Sequence, residues 1–83
     1  MTAQEPIPML FADFQNSDPQ GRVRLNVAGT FRDISQLGLV LQEGAEIRLY
    51  CYEFETEAVV TYSTEEKLWV AKIDWNNIRD RTL

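Results

Sequence analysis

The sequence predicts a mainly β domain: a small bent antiparallel sheet or SH3-like five-stranded barrel with one short helical insert. Three observations predict it. Two runs alternate strictly, setting Val23, Leu25 and Val27 against Arg22, Arg24 and Asn26, and Ile47, Leu49 and Cys51 against Arg48, Tyr50 and Tyr52. That period of two marks a half-buried strand. Two more extended runs, 56–62 and 68–75, are joined by STEEK, a loop short enough for a β-hairpin. Gly21, Gly29, Gly38 and Gly44 fall one per turn, in none of the spacings that cradle phosphate.

The elements follow in order. Residues 1–8, MTAQEPIP, hold two prolines and little to bury, so a flexible tail is expected before a single domain at 9–83. MLFADF (9–14) reads as a first strand and QNSDPQG (15–21) as a cluster of turn formers. RVRLNV (22–27) is the second strand. Thr30 and Asp33 have capping-box spacing, and Phe31, Ile34 and Leu37 share a helical face until Gly38. A helix of about two turns is therefore expected, too short to stand alone and held down by those three apolar residues. LVL (39–41) is a brief extended piece before the Glu43–Gly44 turn, and EIRLYCYE (46–53) is the next strand.

Register decides the role of the two tryptophans. If paired residue numbers in the last hairpin sum to 131, Tyr62 faces Trp69, Val60 faces Ala71 and Ala58 faces Ile73. This collects the large side chains on one face, whereas a slip by one residue mixes the faces. Trp69, Ile73 and Trp75 then point at the core, where aromatic rings supply the largest burial available to a small domain.

Composition excludes several classes of function. A net charge of −5 and a pI near 4.5 give an average field that repels phosphate backbones and anionic headgroups, so general nucleic-acid binding is disfavoured. The one cysteine, Cys51, rules out an internal disulfide and a cysteine metal cage, which fits a reducing, cytoplasmic home. No apolar run reaches membrane-spanning length and no signal-peptide pattern opens the chain, so no membrane association is expected.

Catalytic chemistry has little to work with. The chain has no histidine, the commonest general base and metal ligand. Cys51 reads as a buried, inert thiol, and Ser17, Ser35 and Ser63 lack a nucleophile-elbow context. Glu53, Glu55 and Glu57 alternate, so their carboxylates project to one side. Such a row can present oxygens to a cation or serve as a solvated acidic edge that blocks aggregation, and both readings stay open. No enzyme activity, cofactor or metal is expected.

What remains is the outer face, where Arg22, Arg24, Arg48, Tyr50, Tyr52, Val59, Val70 and Lys72 collect if the alternation holds. Arginine and tyrosine are enriched at protein contacts, and two valines sit where free surface prefers polar groups. The face reads either as a contact surface for a protein partner or a second copy of the chain, or as a second face covered by the N-terminal segment. The alternative function is a small-ligand or oligonucleotide module using Arg22, Arg24 and Arg48 locally against the acidic average.

The segments RVRLNVAGT (22–30) and WVAKIDW (69–75) resemble a family of short bacterial proteins, mostly cyanobacterial, that pair an R-V-R-L-N-x-x-G-T block with a W-V-A-x-I-D-W block. The likeness covers roughly residues 22–79. It implies a cytoplasmic bacterial protein and carries no activity, cofactor or partner with it. In similar sequences the stretch after Leu49–Tyr50 is longer and richer in aspartate and glycine, whereas CYEFETE here is compact.

Overall fold

The last hairpin adopts the register that segregates its faces: Ala58 lies opposite Ile73, Val60 opposite Ala71 and Tyr62 opposite Trp69. The computed structural model describes residues 7–81. In chain order the elements are β1 (Met9–Phe11), β2 (Val23–Arg24), α1 (Ala28–Leu37), β3 (Glu46–Cys51), β4 (Phe54–Ser63), β5 (Leu68–Ile73), a 3₁₀ turn (Trp75–Asn77) and β6 (Arg79–Asp80). They form one curled sheet in the order β1-β3-β4-β5-β2, with β6 pairing to β4. The result is a half-barrel with one helix.

The two ends of that order are linked by continuous chain. After β1 the backbone crosses to the opposite edge, where Ser17 bridges to Val23, Arg24 N–H donates to the Asn16 carbonyl at 2.9 Å and Asp18 N–H donates to the Arg22 carbonyl at 2.8 Å. Inward positions of the strands supply the core: Leu10, Val23, Leu25, Ile47, Leu49, Ala58, Val60 and Ala71 are all buried. Ile34 from the helix and Leu39 and Leu41 from the segment after it pack against this cluster, together with Trp69 and Ile73. Each fully buried aliphatic side chain of this kind stabilises by roughly 1.5–3 kcal/mol.

The sheet departs from the expected antiparallel five strands in two ways. There are six strands among the described residues, and β1 runs parallel to β3, with Met9 beside Arg48 and Phe11 beside Tyr50. Parallel pairing needs a long crossover, which β2, α1 and the segment after it provide. The expected tail at 1–8 lies outside the described residues up to residue 6. Pro8 already belongs to the sheet, because its carbonyl accepts the Arg48 N–H at 2.8 Å. Residues 39–41 form no strand, and the run 22–27 is regular only at Val23–Arg24. Val27 is diverted to become the helix N-cap, at φ −91° and ψ 161°.

Helix α1 starts two residues earlier than Thr30 and is held by different atoms from those expected. Gly29 lies inside it, and a Cβ there would stand 2.6 Å from the Phe11 ring, so glycine is what lets helix and strand approach. Thr30 and Asp33 form no capping box. Both are buried against β1, where the Thr30 hydroxyl donates to the Phe11 carbonyl and Asp33 Oδ2 accepts the Phe11 N–H at 2.9 Å. Phe31 and Leu37, expected to anchor the helix, are 57% and 54% exposed; of the apolar three only Ile34 reaches the core. At the C-terminus Gly38 takes φ 61°, and the Leu39 N–H to Ile34 carbonyl and Gly38 N–H to Ser35 carbonyl bonds make a Schellman closure.

The tryptophans part company. Trp69 packs on the core and meets Tyr62 edge-on at 5.1 Å between ring centroids. Trp75 lies in the 3₁₀ turn, is 44% exposed and donates Nε1–H to the Gly21 carbonyl at 2.8 Å. The turn shifts the register of β4 pairing between β5 and β6, which ends the alternation that would have carried Trp75 inward.

Candidate protein-contact surface

The predicted outer face divides into three neighbourhoods. At the β2 end, Arg22 Nε lies 2.7 Å from Asp18 Oδ2, and Arg24 grips Glu66 with Nε–Oε1 at 2.7 Å and Nη2–Oε2 at 2.8 Å. The remaining Arg24 nitrogen donates to the Ser17 carbonyl at 2.9 Å and to Asn16 Oδ1 at 3.2 Å. Val70 is opposite Arg24 in the ladder and is 0% exposed. Directly opposed side chains share a face, so the Arg24 arm and the loop it binds account for that burial. Val70 is therefore no part of an exposed patch.

The middle of the face is a ladder of opposite charges. Arg48 lies 3.6 Å from Glu55 and 3.3 Å from Glu57, Arg79 lies 2.7 Å from Glu57, and Arg81 lies 3.8 Å from Glu55. Two of the three alternating glutamates are thus neighbours of arginine, and among the described residues no group of three or more histidine, cysteine or acidic side chains is placed to hold a metal. The Arg79 hydrogen bond holds the Glu57 carboxyl below its ordinary pKa, against a smaller opposing effect of burial. Tyr50 lies beneath the Arg81 guanidinium, 4.7 Å from its ring centroid, and donates its hydroxyl to Asp33 Oδ2 at 2.7 Å. That hydrogen bond, then burial, pushes the Tyr50 pKa up. Val59 and Lys72 face each other across β4 and β5 and are exposed.

Tyr52 is the third neighbourhood, and it stands apart from the rest of the set. Cys51 and Phe54 pair directly, so Tyr52 and Glu53 make a two-residue turn. Tyr52 has φ 53° there and is 80% exposed. Its ring meets Phe11 edge-on at 6.0 Å. It also lines a groove of about 570 Å³ together with Asp13, Phe14, Gln15, Cys51, Phe54 and Ile78. Phe14, Phe54 and Ile78 escaped the sequence reading, which ran the third strand through Glu53. The turn was legible only as a strand end between two alternating runs, with no glycine or asparagine to announce it.

A second apolar groove, of about 440 Å³, lies between α1 and the β4–β5 hairpin, lined by Phe31, Ile34, Val40, Tyr62 and Trp69 among others. Its polar surroundings are satisfied: Glu43 accepts the Thr61 hydroxyl at 2.6 Å and the Tyr62 N–H at 3.0 Å, and the Thr61 bond foremost holds the Glu43 carboxyl below its ordinary pKa.

The charges divide unequally between these places. All six arginines lie within 4.0 Å of a carboxylate: Asp18, Asp33, Glu55, Glu57 or Glu66. Asp13, Glu46, Glu53, Glu65 and Asp74 have no such cation among the described residues. The arginine charge is thus matched within the molecule, while Lys67 and Lys72 are exposed, and on a chain of net charge −5 the excess is negative. No helix of the described residues is long and apolar enough to cross a membrane. No protein-family model, curated protein or solved structure matches the chain.

Proposed function

We propose that this chain is a non-enzymatic protein-contact module of the small SH3-like kind, which docks a segment of a partner protein in the groove beside the β3–β4 turn. The observation that carries the reading is Tyr52. Left-handed backbone costs a residue with a Cβ roughly 1–2 kcal/mol, and glycine is the usual occupant of such turn positions. A tyrosine ring left 80% exposed recovers little of that cost by burial within the chain. Placed at the mouth of a groove walled by Phe14, Phe54 and Ile78, the ring is positioned to be covered by a docked chain. Aromatic anchors in such pockets dominate the energetics of protein contacts.

The absence of histidine and the inward, buried Cys51 thiol support a non-catalytic role, and a reducing cytoplasmic setting keeps that thiol free. The oligonucleotide alternative loses its motivation, because Arg22, Arg24 and Arg48 are each held by carboxylates of the same molecule. The test is display of a random peptide library against the protein. Peptides are expected to enrich that bind the parent chain and lose most of their affinity for Tyr52→Ser and Phe54→Ser. Failure of any sequence to enrich, or enriched peptides indifferent to both substitutions, overturns the proposal.

A further inference from the structure

Resting on that reading, we infer that the docked segment is cationic and amphipathic: an aromatic or leucine anchor flanked by lysine or arginine. The groove has an apolar floor of Phe14, Cys51, Phe54 and Ile78, and its volume of about 570 Å³ falls in the range of sites that enclose a ligand. One carboxylate lies in its lining and another in the turn that flanks it. Asp13 lines the groove, and its carboxylate accepts the Gln15 N–H at 3.0 Å. Glu53 lies in the turn between Tyr52 and Phe54, exposed and without a cation within 4.0 Å among the described residues. The arginines closest in sequence and pairing, Arg48, Arg79 and Arg81, are all drawn to Glu55 and Glu57 instead.

An apolar segment entering this groove therefore meets the Asp13 carboxylate in its lining and approaches Glu53 in the adjoining turn, neither with a cation within 4.0 Å among the described residues, on a molecule of net charge −5. An acidic segment, a second copy of this chain or a nucleic acid brings like charge to those carboxylates, which slows encounter and costs affinity. Flanking lysine or arginine does the opposite, pairing with Asp13 and Glu53 while the anchor fills the floor. The other groove offers no such discrimination, because Lys67 lines it beside its apolar residues.

The experiment uses three labelled peptides sharing a Leu-Trp-Leu centre, flanked respectively by lysines, serines and glutamates, titrated into the full chain by fluorescence anisotropy. The lysine peptide is expected to bind about ten-fold tighter than the serine peptide at low ionic strength, and the gap to narrow as salt screens the two carboxylates. Asp13→Asn, which keeps an oxygen for the Gln15 N–H, combined with Glu53→Gln is expected to bring the affinities of the lysine and serine peptides together. Equal binding of lysine and serine peptides, or a preference untouched by the double substitution, overturns the cationic assignment and leaves the groove reading standing if Tyr52→Ser weakens both. Absence of binding by all three peptides overturns both proposals. A concentration-dependent dimer in light scattering that Tyr52→Ser abolishes makes a second copy the occupant and likewise overturns the assignment.

Discussion

Gly29 and Tyr52 invert the ordinary relation between residue and site. Glycine sits inside a helix, where it is normally unfavourable, because the Phe11 ring occupies the space a Cβ would need. Gly29→Ala is expected to destabilise by about 1–3 kcal/mol, as overpacking does, despite the better helix propensity of alanine. Urea unfolding decides the sign. Tyrosine occupies a left-handed turn position where glycine is cheap, so Tyr52→Gly is expected to unfold at or above the parent midpoint, an outcome foreign to tyrosines that support a core. Side-chain parity made Ile47, Leu49, Val23 and Leu25 legible as interior residues, since each is fixed by its own strand. It was silent on Val70. Parity places that residue on the outer face, and only the structure shows that it is buried there, opposite Arg24.

At the scale of elements, β1 is the instructive case. Its inner edge pairs with β3, while on its other side the Phe11 N–H and carbonyl are taken by Asp33 and Thr30 of α1. The helix thus supplies the hydrogen bonds a further strand would have made, and closes an edge that would otherwise recruit other chains. Asp33→Leu leaves the Phe11 N–H and the Tyr50 hydroxyl without their acceptor and is expected to cost about 2–4 kcal/mol. Hydrogen exchange should accelerate selectively at the Phe11 amide, and Asp33→Asn, which retains one acceptor, should show a smaller effect. Thr30 and Asp33 have the same spacing in a capping box and in this edge-closing arrangement, so spacing alone could not tell them apart; the parallel pairing of β1 with β3 was equally invisible, because strand direction leaves no mark on a three-residue segment. The tryptophans give an optical check. Iodide is expected to quench the Trp75 component and largely spare Trp69, and Trp75→Phe should remove the accessible fraction.

Across the whole molecule, charge governs both stability and recognition. Burial raises the Asp18 pKa, but hydrogen bonds from Arg22 and from the Gln20 N–H outweigh it and leave the carboxyl below its ordinary value. The Arg24 hydrogen bond foremost does the same for Glu66, and Thr61 for Glu43. Carboxyls depressed in the folded state contribute stability above the ordinary carboxylate range and lose it as pH falls through their folded values. With no histidine in the chain, the urea midpoint is expected to stay nearly flat between about pH 5 and 8 and to drop below about pH 4. Tyr50 has the opposite sign: its pKa is raised on folding, so its contribution is present at neutral pH and is lost as pH climbs past about 10. The candidate site was legible in part for the same electrostatic reason. Composition announced an acidic surface and alternation collected the arginines, but which carboxylate holds which arginine depends on strand neighbours such as Arg48 and Glu57, and on the crossing of residues 16–22 over Arg24.

The parallel pairing of β1 also dictates an order of assembly. The hairpins of β3, β4 and β5 close between neighbours in sequence, whereas Met9 must find Arg48, 39 positions away, across a segment that includes β2 and α1. Long loops close late because their entropy must be met before any contact rewards it. The N-terminal strand is therefore the last piece to dock and the first to leave: substitutions at Leu10 should speed unfolding while hardly slowing folding, and those at Val60 should slow folding.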